Sequence, residues 1–199
     1  MPANQELREQ FSKALQTFHQ NFSGDLELIR AKAEDHGIRM TSGGIYLPPT
    51  PGAYNLRTPE DDDLDQLLGN SRVLVGCIDA RQSAQIWEDI QPDAFIAVAG
   101  GAAQPNDTRR SALVDFLATA MTFNPKLNVT LLGHDRKCGG VAHASNGSAS
   151  AAFVSGGYNA EHDLIGHYLE STVHTLLEKG ISPQRITLGY AHVGEEDQF

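Results

Sequence analysis

The sequence has few cysteines, no excess of positive charge and no long apolar runs. Among its 199 residues there are only two cysteines, Cys77 and Cys138. A dense disulfide framework is therefore excluded, and the pair is left as buried apolar residues, one disulfide or metal ligands. A cytosolic chain of this size would gain little from a single disulfide. No apolar run reaches the length needed to cross a bilayer. The first residues, MPANQELREQFSKALQ, lack the basic stretch and apolar core of a signal peptide, so a cytoplasmic location is expected. Lys and Arg total 15 against 25 Asp and Glu, a net charge of −10. Nucleic acid and anionic membranes, which need a basic footprint, are not expected partners. Part of the acidity is local: residues 60–65 read EDDDLD, a solvated loop without the order of a calcium-binding pattern.

What is present is the alternation of an α/β protein. There is no internal repeat. Residues 4–22 carry Phe11, Leu15 and Phe18 at helical spacing, and a second short helix is expected over 25–36, ended by Gly37. The stretch 41–59 is rich in Pro and Gly and reads as a wrapping loop. Residues 1–59 thus form an N-terminal helical arm on a main domain of 60–199. Strands are expected at RVLVGCI (72–78), AFIAVAG (94–100), NVTLLGH (128–134) and RITLGYAHV (185–193). Helices are expected over 83–90, over 109–123 with Asp107 or Thr108 as cap, and over 162–180. The apolar faces are Ala112, Leu113, Phe116, Leu117, Ala120 and Met121 in one, and Leu164, Ile165, Tyr168, Leu169, Val173, Leu176 and Leu177 in the other. Gly180 ends the last helix. The fold class is α/β, a mostly parallel sheet flanked by helices.

Two of these strands run into reactive groups. The first ends in Cys77-Ile78-Asp79-Ala80-Arg81, the third in His134-Asp135-Arg136-Lys137-Cys138-Gly139-Gly140. Ligands of open parallel sheets sit beyond the carboxyl ends of the strands, where these groups can meet. Two thiolates and an imidazole favour zinc, and three protein ligands leave a fourth, open position. On an extended segment Cys77, Asp79 and Arg81 point the same way. Arg81 can then hold Asp79 ionised, and Asp79 can accept a hydrogen bond from a zinc-bound water or take the fourth position itself.

CxDxR at one strand end and His and Cys followed by Gly-Gly at another resemble the β-class carbonic anhydrases, and the resemblance spans roughly 70–195. It implies zinc on Cys77, His134 and Cys138, an Asp79–Arg81 dyad, and reversible hydration of CO2 to bicarbonate and a proton. It also implies a homodimer or higher oligomer gripped by the N-terminal arm. Relatives in that family act on carbonyl sulfide or carbon disulfide, and a non-catalytic zinc-binding relative is the alternative of a different class. Two departures stand out. Three residues separate His134 from Cys138 where the family has two, and Ala97-Val98 occupies the place of an Arg-Asn pair. His143 and His162 read as surface residues able to relay protons, and His167 and His174 as helix-flank residues. ASNGSASAAFVSGG (144–157) reads as a flexible flap.

Overall fold

The computed structural model describes residues 2–35, 45–46, 69, 71–77, 93–134, 138, 141 and 148–191. Helix α1 spans Pro2–Asp35, strand β1 Ile45–Tyr46, β2 Arg72–Cys77, β3 Ala94–Val98, helix α2 Asp107–Phe123, β4 Asn128–His134, helix α3 Ser148–Glu178 and β5 Ile186–Ala191. The sheet order is β1-β3-β2-β4-β5. β1 lies antiparallel to β3, and the pairs β2–β3, β2–β4 and β4–β5 are parallel. The chain is an α/β protein with a mostly parallel sheet flanked by helices, as its alternating pattern implies.

The strands form because short Val- and Leu-rich runs can be buried on both faces. Residues 73–77 of β2 are all buried, and so are Val129 and Leu131–His134 of β4. Their parallel pairing runs from Arg72–Asn128 to Val75–Leu131. Asp93 fixes the opposite end of the sheet. Its carboxylate accepts hydrogen bonds from the Ser71 and Arg72 amides and from the Ser71 hydroxyl, at 2.9–3.0 Å.

The arm packs on the body through aromatic rings. Phe11, Phe18 and Phe22 are fully buried. The Phe11 and Phe18 rings lie 5.4 and 5.0 Å from the Phe116 ring of α2. Each such pair contributes about 0.5–1.5 kcal/mol beyond the area it buries. The apolar stripe of the arm thus finds its partner within the same chain. Arg109 strengthens the joint: its guanidinium lies 4.3 Å from the Phe22 ring centroid and donates to the Asn21 carbonyl.

Several boundaries differ from the expectations. The two N-terminal helices are one, because Gly24 costs about 1 kcal/mol relative to Ala and does not break a helix. The cap of α2 is Asn106, not Asp107 or Thr108; its Oδ1 accepts from the Thr108 and Arg109 amides at 2.9 and 3.1 Å. Helix α3 begins at Ser148 rather than 162, so residues 148–157 of the expected flap are helical. Ser and Gly residues lower helix propensity there by at most about 1 kcal/mol each, which weakens a helix without breaking it. Leu177, expected on the buried face of α3, is exposed, and Thr172 is buried on that helix. All six apolar positions named for α2 are buried. Gly180 ends α3 as expected, with φ +82° and the paired hydrogen bonds Gly180 N–H to Leu177 O and Ile181 N–H to Leu176 O. The expected helix over 83–90, Gly37 and the acidic run 60–65 lie outside the described residues.

Candidate metal centre

The order β3-β2-β4 places the topological switch between β2 and β4: the chain leaves β2 to one side for β3 and returns to the other for β4. The crevice beyond the carboxyl ends of two such strands is where open α/β sheets bind ligands. Cys77 is the last residue of β2 and His134 the last of β4.

Behind the crevice lies the turn after β3. Gly101 has φ +58°, and a Cβ there would lie 2.8 Å from both Cys77 N and Gly76 C and 3.0 Å from Leu132 O. The turn therefore touches both strands at the point where their pairing has ended, and only glycine fits. Buried Gln104 holds its shape, donating from Nε2 to the Ala99 and Gly101 carbonyls at 2.8 and 2.6 Å. Arg109 donates to Gln104 Oε1 at 3.1 Å, which links the turn to the arm.

Cys77, His134 and Cys138 converge here. They are 2%, 1% and 2% exposed, and their ligand atoms all lie within 4.8 Å of one another. The two sulfurs are 3.7 Å apart. Two thiolates bound tetrahedrally at ~2.3 Å from one ion would stand about 3.8 Å apart, so the spacing suits a shared ion. The Val141 amide approaches Cys138 Sγ at 3.3 Å, a donor that favours the thiolate. The Cys138 amide donates to Glu161 Oε1 of α3 at 2.9 Å, and Glu161 is itself 1% exposed.

The group can hold a metal ion. Its sulfur and nitrogen donors suit soft and borderline ions rather than calcium or magnesium, which take oxygen ligands. Two thiolates and a neutral imidazole also match the charge of a divalent ion. All three ligands expected from the sequence are brought together, including Cys138 despite the three-residue spacer. Asp79 and Arg81 lie outside the described residues, as does His143. His162 is exposed and rests against the Tyr190 ring at 4.4 Å between centroids. His167 and His174 are exposed on α3, in keeping with flank positions.

The sequence reading missed Glu161, because it began this helix one residue later. The available signal was its spacing: Glu161 precedes Ile165 and Leu169 by four and eight positions, so it extends their apolar stripe by one acidic residue. Among the described residues, no helix is long and apolar enough to cross a membrane. Comparison with models of protein families, with curated proteins and with solved structures returns no match for this chain.

Proposed function

We propose that the chain is a zinc-dependent carbonic anhydrase of the β class, hydrating CO2 reversibly to bicarbonate and a proton. The observation that carries this reading is the buried convergence of Cys77, His134 and Cys138 at the carboxyl ends of adjacent parallel strands. The CxDxR motif that begins at Cys77 supports it from the sequence.

Zinc bound by three protein ligands supplies Lewis-acid chemistry, lowering the pKa of a water to about 7 so that hydroxide is available near neutrality. The chain's own residues do the rest. Cys77 and Cys138 bring negative charge that makes that water less acidic than three imidazoles would. On the family resemblance, Arg81 would pair with Asp79 and keep it ionised, and Asp79 would accept a hydrogen bond from that water and so orient it. Burial of the three ligands keeps competing water from them. The same reading carries a cytoplasmic location, where reducing conditions keep both thiols available for metal, and a homodimer or higher oligomer.

Stopped-flow CO2 hydration by metal-quantified protein, with Cys138→Ser as control, tests the proposal. Fast hydration at about one zinc per chain, lost in the variant, is expected. Full zinc without hydration would refute it and redirect attention to carbonyl sulfide or carbon disulfide, or to a zinc ion with a structural role. Absence of zinc would refute the metal assignment itself.

A further inference from the structure

The buried face of α3 is apolar at Ile165, Leu169 and Leu176 but carries two polar side chains, Glu161 and Thr172. Both reach toward the ends of the strands. Thr172 Oγ1 donates to the Ala102 carbonyl at 2.7 Å, in the turn that lies against Cys77. Glu161 Oε1 accepts from the amide of Cys138 at 2.9 Å. Burying a carboxyl group is costly unless hydrogen bonds compensate it. An apolar side chain would continue the stripe without that cost, so the carboxyl needs a reason beyond packing.

The contacts of α3 with β4 supply one. A Cβ on Gly133 would lie 2.8 Å from Leu169 Cδ1 and 2.9 Å from Ile165 Cγ2. The helix therefore rests directly on the residue before His134. One turn earlier, about 6 Å along the axis, the same helix presents Glu161 to Cys138. A rigid element thus touches the chain beside one ligand and at the backbone of another. The distance between His134 and Cys138 is set by the helix, and the spacer of Asp135, Arg136 and Lys137 need only span it.

We propose that Glu161 is a positioning residue for the metal centre: its carboxyl oxygen fixes the Cys138 backbone, so that Sγ is presented to the ion despite the three-residue spacer. This rests on the metal-centre reading and not on the CO2 chemistry. Partners in the shell around metal ligands typically contribute about 10–100-fold in metal affinity.

The test is Co2+ binding to the full chain, read both as affinity by chelator competition and as the thiolate-to-cobalt absorption. Glu161→Gln keeps an oxygen acceptor at the same reach. Glu161→Asp keeps the carboxyl but withdraws it by one methylene. Glu161→Gln is expected to bind within about threefold of the parent, and Glu161→Asp about 10–100-fold more weakly, with reduced thiolate absorption. In a Cys138→Ser background the Asp substitution should cost nothing further, since the ligand it positions is gone. Parent-like affinity and absorption in Glu161→Asp would overturn the proposal, as would an equal loss in the Cys138→Ser background. Failure of the parent itself to take up Co2+ would overturn the metal reading and the proposal with it. Unchanged binding in Glu161→Asp, with Co2+ uptake by the parent intact, overturns only the role of Glu161.

Discussion

Leu169 occupies the space that a side chain at Gly133 would need: a Cβ there would lie 2.8 Å from Leu169 Cδ1. One residue before His134, the strand and helix α3 are in direct contact, and the position of the helix is transmitted to His134.

Gly133→Ala is accordingly expected to destabilise the protein by about 1–3 kcal/mol, the usual cost of overpacking. Metal affinity should fall with it, because the displaced helix carries Glu161. Urea denaturation and Co2+ titration of the same variant check both. Unchanged stability would mean that Ile165 and Leu169 yield freely.

Gly101→Ala should be more damaging. Its φ of +58° costs an L-residue about 1–2 kcal/mol. Its new Cβ would also meet the backbone atoms Cys77 N and Gly76 C, which cannot rotate away. The expected outcome is a larger loss of stability than in Gly133→Ala, with weakened metal binding through displaced Cys77. Equal stability of Gly101→Ala and the parent in urea would contradict this account of the turn.

Asp93 predicts a dependence on pH. Burial alone would raise its carboxyl, but hydrogen bonds from Ser71 and Arg72 and the Arg72 charge outweigh burial and hold it below the usual range. Its folded value is thus lower than its unfolded value of about 3.9, so its contribution is complete above that pH and is lost as pH falls through the lower folded value. Asp93→Ala should cost about 0.5–1.5 kcal/mol at neutral pH, because its donors on Ser71 and Arg72 are exposed and water replaces the carboxylate. The gap from the parent should narrow below about pH 4, where the parent's own carboxylate protonates. Denaturation midpoints across pH 3–7 measure this, and a gap that widened in acid would be the wrong sign.

Turnover gives another pH test. Under the proposed function, the hydration rate of zinc-loaded protein should rise from about pH 7 to 8.5, as more of the reacting water is deprotonated. A flat profile in stopped-flow measurements would mean that such a water does not control the rate.

The four main strands were legible because each is a short apolar run with a clear boundary, as in RVLVGC and NVTLLGH. Helix α2 was legible because its apolar residues repeat at helical spacing over the whole segment. Where helical signal was diluted, the reading stopped early. Gly24 divided α1 into two expected helices, and the Ser and Gly residues of 148–157 concealed the first turns of α3. Neither change breaks a helix by itself, since tertiary packing offsets a weak local propensity. Leu177 illustrates the opposite error: a sequence stripe cannot show how wide a face its partner covers.

The three residues that can hold a metal ion were also legible, because thiol and imidazole groups at strand ends combine unusual chemistry with a predictable place in a parallel sheet. The sequence by itself determined the parallel α/β alternation, the identity of Cys77, His134 and Cys138, and the glycine that ends α3. Those follow from local patterning and from the properties of individual side chains. Only the tertiary structure decided that β2 and β4 are neighbours, that Gly101 lies against Cys77, and that Glu161 holds the Cys138 amide. Each of these joins segments far apart in the chain, and such distances are set by packing rather than by local sequence.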